Sequence, residues 1–471
     1  MTQPVSLGTD LVAALQQGTV TSAELVEDCL AQIERLDDHL RVFVTPTPDQ
    51  AREAAAAADA ALAAGRLLGP LHGLPVGVKD NIATEGVRTT MGSTFFGDNV
   101  PETDAEVWRR LLIAGAVLVG KTQLHEFAFG ATTQNPHYGA CRNPWGPDRT
   151  PGGSSGGSGA AVAAGMAAAS LGTDTGGSVR IPASLNGLTG IRPSTGGVPN
   201  SGVHYVGWSF DTVGPLARSV GDVAALHAVM EGFHAPDPMS ATATRNPQSG
   251  VARESLDGVR VGLPSAFFFD GVDQPIVDAV RAAAEVLNDL GADLADVSLD
   301  GAEEANEACT RIIWAEARAQ HEERFAANPE LFGEDLQRRL LLADQVSGAE
   351  YGRFRQLGRF WTREVEQVLE SVDVILTPTN GVVAPPADGE MIETTVRLVR
   401  LTYGWSLARI PALSLPCGFS PEGLPIGVQL AGPRWSEPLL FEIGRHYQRA
   451  TDWHRQTPPL VADDGSGRAA S

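Results

Sequence analysis

The sequence predicts an α/β protein. Short apolar runs that read as strands recur along the chain, at 75–79, 116–119, 259–263, 373–377, 412–416 and 425–430. Stretches with helical spacing separate most of them. A strand–helix–strand order spans 75–121, which suggests a parallel sheet with helices on its faces. With 471 residues, 43% of them hydrophobic, the chain can bury a large core as one big domain or two.

In chain order, the first 66 residues read as a helical arm. Thr21 and Glu24 form a capping box, and Leu25, Cys29, Leu30 and Ile33 mark one face of the helix that follows. An Ala-rich helix runs over 49–65, with Gly65 as a left-handed C-cap. Val76 and Val78 then make a strand that ends in Lys79. Thr103 and Glu106 read as another capping box, for a helix through Trp108 and Leu111 to Gly115. Residues 126–145 read as loop; His125 and His137 lack a metal-ligand partner at helical spacing and read as packing or polar contacts. Ser219 and Asp222 open a helix through Met230, 236–257 is a polar surface connection, and 276–290 is an amphipathic helix closed by Gly291. Residues 303–370 are helical, charged and aromatic, and read as a cap over a site. The small polar tail, 461–471, reads as disordered.

The chemistry concentrates in 150–180. Two Gly-Gly-Ser turns, holding Ser154, Ser155 and Ser178, bracket a run of small apolar residues over 159–170 that reads as one buried helix. Gly/Ser runs are often linkers, but a linker does not repeat a turn around an apolar segment and continue into Val179, Ile181 and Leu185. No Lys follows either Gly-Gly, which excludes a Walker loop, and the G-x-S-x-G elbow is absent.

Composition narrows the classes further. No apolar run reaches membrane-spanning length, and 1–10 lacks the marks of a secretory signal. The four cysteines are widely spaced and read as free thiols in a reducing, cytoplasmic compartment; no metal or cofactor motif is present. A formal charge of −22 argues against nucleic-acid and membrane partners.

These residues resemble the amidase signature enzymes. The matching motifs are Gly77-Val78-Lys79-Asp80-Asn81, Gly120-Lys121-Thr122, the run from Pro151 through Ser154 to Ser158, the run from Gly172 through Thr175 to Ser178, Gly214-Pro215-Leu216-Ala217-Arg218-Ser219 and Leu376-Thr377-Pro378-Thr379. The resemblance implies a single α/β domain, a large mixed sheet covered by helices on both faces. It implies a catalytic triad of Ser178 as nucleophile, Ser154 as proton relay and Lys79 as neutral base. It also implies an oxyanion hole of backbone N–H groups from Thr175, Gly176, Gly177 and Ser178. The two glycines before Ser178 and a lysine ending a buried strand suit those roles independently.

Glutaminase subunits of tRNA-dependent amidotransferases carry Arg-Gln-Pro-Ala after the nucleophile. Here the residues are Arg180-Ile181-Pro182-Ala183, and 195–199 reads Thr-Gly-Gly-Val-Pro in place of Tyr-Gly-Arg-Val-Ser. The expectation is therefore an autonomous amidase for a small or medium amide, urea or carbamate. The alternative is the glutaminase component of a tRNA-dependent amidotransferase. Its partner is a small-molecule amide, with no nucleic acid and no membrane; a homodimer is left open. Trp314, Leu340, Leu341 and Tyr351 are expected to line an apolar acyl pocket, with Arg338 and Arg339 on a solvated helix face.

Overall fold

Eleven strands form one mixed sheet, and its middle carries the two serine turns. The computed structural model describes residues 4–242 and 253–462; parts of the expected surface connection and nearly all of the expected tail lie outside them. The strands are β1 (Phe43–Pro46), β2 (Pro75–Lys79), β3 (Val117–Thr122), β4 (Gln134–Asn135), β5 (Gly139–Ala140), β6 (Ala169–Asp174), β7 (Thr189–Arg192), β8 (Thr212–Ala217), β9 (Arg260–Pro264), β10 (Asp293–Val297), β11 (Val374–Pro378), β12 (Ala412–Phe419) and β13 (Pro425–Ala431). The large sheet runs β1-β3-β2-β6-β8-β7-β12-β13-β11-β9-β10, and β4 with β5 makes a small separate pair. Strands β3, β2 and β6 are parallel, as are β11, β9 and β10; the pairings between them are antiparallel. The parallel β2–helix–β3 unit expected from the sequence is present.

Both faces of the sheet are covered, and strand alternation shows it. Val374 and Leu376 join one core with helices Glu106–Ile113, Val220–Met230 and Gln274–Asp289, whereas Ile375 joins another beneath Ala302–Gln320. Likewise Leu118 belongs to the first core, while Val117 and Val119 pack with Ser22–Leu40 and Pro48–Ala63. The capping box of Thr21 and Glu24 forms as expected.

Three expectations change. The small-residue run is a helix, Gly156–Ala163, followed by strand β6; left-handed Gly165 (φ 71°) ends the helical path between them. Thr103 caps nothing: Ala105 is the N-cap, and Glu106 instead binds Arg109 and Arg110 from the first helical turn. Strands β1, β7, β8 and β10 add to the set predicted from apolar runs. In β8, Gly214 faces the backbone of Ile191 on neighbouring β7, with no space for a side chain.

That close approach yields a stability prediction. Gly214→Ala places a methyl group against a backbone carbonyl that cannot move aside, and should cost about 3 kcal/mol, near the upper end for overpacking. Gly271→Ala, where a Cβ meets open space, should cost about 1 kcal/mol from its positive φ. Paired thermal unfolding curves check this; equal Tm values for the two variants would refute it.

Candidate active site

Lys79 stands at the end of β2, between β3 and β6. It is fully buried, and its Nζ lies 2.7 Å from Ser154 Oγ and 2.7 Å from Thr173 Oγ1. Thr173 Oγ1 also accepts a 3.3 Å bond from Asn81 Nδ2. No carboxylate forms an ion pair with Lys79 among the described residues. Burial therefore dominates, and lowers its pKa to about 7, while the more distant Asp211 and Asp174 pull the other way. A lysine poised near neutrality among hydroxyls can take a proton from one of them.

Lys121, one strand away on β3, is the informative contrast. It is equally buried, but its Nζ is 3.6 Å from Asp80 Oδ1 and is bonded to Ile82 O and Thr89 Oγ1. It has a carboxylate within ion-pair distance, which Lys79 lacks among the described residues. These are the only two lysines in the chain, although 35 residues are Lys or Arg.

Ser154 follows a cis Gly153–Ser154 peptide and is buried. The two serine turns are tied together by Ser155, whose Oγ donates to Thr173 O and accepts from Thr173 N, each at 3.2 Å. Ser178 is half-buried and lines a pocket, with Thr175 and Gly176 beside it. Its hydroxyl makes no hydrogen bond among the described residues, so the structure joins Lys79 to Ser154 and leaves Ser178 on the pocket wall without a bond to either.

The turn before Ser178 is held by Asp174. Its Oδ1 accepts from Gly177 N at 2.8 Å and its Oδ2 from Val179 N at 3.2 Å. Arg180 and Arg192 bind the same carboxylate at 3.0 and 3.1 Å, all three side chains fully buried. Burial alone would raise the Asp174 pKa; the two guanidinium groups outweigh it and hold the carboxyl below its usual range. Gly177 (φ 131°) adopts a conformation that disfavours any side chain. Because its N–H is committed to Asp174, it shapes the turn and is no free donor, contrary to the expected set of four. The N–H groups of Thr175, Gly176 and Ser178 have no protein acceptor among the described residues, and can receive an oxyanion.

The cap over 303–370 does contribute walls to the pocket. Trp314, Ile313 and Thr310 line it, together with Val396 and Val399 from the helix Met391–Val399. Leu340 is instead sealed in the core, Leu341 is exposed, and Tyr351 donates to Glu316. Of the two arginines, Arg338 is exposed and pairs with Glu390, as expected of a solvated face. Arg339 is buried, lines the pocket, and is bound by Asp335 at 2.8 Å and Thr395 Oγ1 at 3.0 Å. Asp335 in turn pairs with His125 at 2.9 Å, and His137 pairs with Glu126, so both histidines serve polar contacts. No carboxylate lines the pocket, and no group of three or more potential metal ligands occurs among the described residues.

Fold and site together define an amide-cleaving enzyme. A family model described as Amidase matches residues 24–441, and the chain belongs to that family. Among curated proteins, the chain is 42% identical over 475 residues to the Glutamyl-tRNA(Gln) amidotransferase A subunit of Chloroflexus aurantiacus, covering 95% of this chain and 97% of that protein. The protein of the same name from Halorhodospira halophila is 40% identical, at 95% and 98% coverage. Among solved structures, a chain from a vestigial complex related to an s-triazine catabolic enzyme superposes with a TM-score of 0.87 at 32% identity, covering 95% of this chain and 98% of that one. The native peptide amidase of Stenotrophomonas maltophilia gives 0.83 at 31% identity, with 96% and 98% covered.

These relatives correct the expected partners. The reading of a small-molecule amide as sole partner, with no nucleic acid, does not stand against relatives named as components of a tRNA-dependent enzyme. Net charge does not exclude such a partner, because it averages over the whole surface, whereas a partner meets one patch. No helix among the described residues is long and apolar enough to cross a membrane.

The Lys79 environment sets a pH prediction. A base with a lowered pKa is protonated and inactive below it, so kcat/KM should rise through about pH 7 and then level off. Asp211 is the largest influence holding the Lys79 pKa up. Asp211→Asn should therefore shift the rising limb to lower pH, measured as a pH–rate profile. An unmoved limb would break the link between Lys79 and this profile.

Proposed function

We propose that this chain cleaves the C–N bond of a carboxamide by acyl transfer to Ser178. We propose further that it works as the amide-cleaving component of a tRNA-dependent amidotransferase, with glutamine as amide donor and with protein and tRNA partners. The 42% identity over nearly the whole of both chains carries the assembly role. The contact between neutral Lys79 and Ser154 carries the chemistry.

In this reading Ser154 passes its proton to Lys79 and takes the proton of Ser178 as Ser178 Oγ attacks the amide carbon. The tetrahedral oxyanion points at the N–H groups of Thr175, Gly176 and Ser178. Its collapse breaks the C–N bond, and the proton held at Lys79 returns through Ser154 to the departing nitrogen. Water then enters by the same relay and releases the acid.

One observation favours a second reading, an autonomous amidase for apolar amides. Among the described residues Arg339 is the sole charged one on the pocket wall, and Asp335 already pairs with it. The α-ammonium of glutamine would find no carboxylate there, and burying an unpaired charge is costly.

Ser178→Ala and Lys79→Met should each lower activity about a thousandfold or more, because the relay acts as a unit. A fluorophosphonate should label Ser178 of the unaltered chain, located by mass spectrometry of its peptides. The two readings separate in one assay of glutamine and short apolar amides, with and without the other amidotransferase components. Glutamine hydrolysis that rises about tenfold or more with those components supports the first; apolar amide hydrolysis by the chain alone, with glutamine untouched, supports the second. Full activity in Ser178→Ala would exclude both.

A further inference from the structure

A second cavity lies behind the active-site wall. Ile313 of the helix Ala302–Gln320 lines the substrate pocket, while its neighbour Ile312 lines a separate cleft of about 210 Å³. Three arginines border that cleft: Arg355 and Arg359, one turn apart on the helix Gly348–Ser371, and Arg409, just before β12. We propose that this cleft binds a small oxyanion, a carboxylate or a phosphate, between Arg355, Arg359 and Arg409.

The protein balances the positive charge there only in part: Arg355 pairs with Glu316 at 3.5 Å. The oxygens of Glu316 are already taken by Ser209 N at 3.0 Å, the Ser209 hydroxyl, Tyr351 Oη at 3.0 Å and Arg355 at 3.5 Å. Neither Arg359 nor Arg409 has an ion-pair partner among the described residues, and Arg409 Nε is buried without a hydrogen bond. Unbalanced cations are notable in a chain of formal charge −22. A buried guanidinium donor without an acceptor is costly unless a ligand supplies one.

The backbone fixes where Arg409 stands. Its φ is 62°, in the left-handed region where glycine is the usual residue. There it closes the helix Tyr403–Leu407, with Arg409 N donating to Ser406 O at 3.0 Å and Ile410 N to Trp405 O at 3.3 Å. Burial above all, and then the neighbouring cations Arg434 and Arg355, push the Arg409 pKa down, against an upward pull from Glu316. The guanidinium forks suit bidentate carboxylate or phosphate oxygens.

The test uses the full chain and does not depend on either reading of the active site. Inorganic phosphate and succinate are titrated separately by calorimetry, and the thermal transition is followed against chloride of equal ionic strength. The expected result is saturable binding of one or both, with a higher Tm. Tighter binding of phosphate or of succinate identifies which chemistry the cleft prefers. Arg409→Gly, which relieves the left-handed backbone, and Arg359→Gln should each weaken binding about tenfold or more. The proposal is overturned if neither anion binds below about 10 mM, which corresponds to under about 3 kcal/mol. It is equally overturned if both variants bind as tightly as the unaltered chain.

Discussion

Everything at this site depends on one unusual burial: an amine enclosed among hydroxyls, with no carboxylate in direct ion-pair contact among the described residues. Lys79 is held by Ser154 and Thr173, and its environment stabilises the neutral form near pH 7. Lys121, on the adjacent strand, shows what the fold does with a buried lysine when it supplies Asp80 instead. The same desolvation lowers the pKa of both, and at Lys121 the adjacent Asp80 carboxylate offsets part of it.

The strands around Lys79 make that placement possible. Parallel β3, β2 and β6 bring Thr122, Lys79 and Thr173 into one neighbourhood, and the glycine-rich start of the next helix brings Ser154 there. The second turn is fixed independently. Asp174 gathers two buried arginines and the N–H groups of Gly177 and Val179, which leaves neighbouring amides free to face the pocket. Removing one partner from such a buried ion network typically costs about 3–5 kcal/mol. The network is a scaffold as much as an electrostatic device.

Much of this was legible in the sequence, because the motifs are local. Lys79 at a strand end, Ser154 and Ser178 in Gly-Gly-Ser turns, and the capping box of Thr21 and Glu24 all follow from short-range rules. Strand β8 escaped because Gly214 and Pro215 sit inside it, and both residues weigh against a strand. The Asp174 network escaped because Arg192 is distant in sequence. Arg339 looks like its neighbour Arg338 in sequence, yet adjacent helical residues face different ways. Asp335, four residues before Arg339, was the available signal. Substrate and partners were least legible. They depend on which walls the cap presents to Ser178, and on surfaces that composition averages away.

The central claim is the protonation state of Lys79, and the two-lysine composition makes it directly measurable. With lysine labelled by ¹³C at the ε carbon, the chain should give two resonances, and Lys79→Met identifies one of them. The Lys79 signal should titrate with a midpoint of about 7, and the Lys121 signal at about 8. A Lys79 midpoint near 10, the ordinary value for an exposed lysine, would contradict the account.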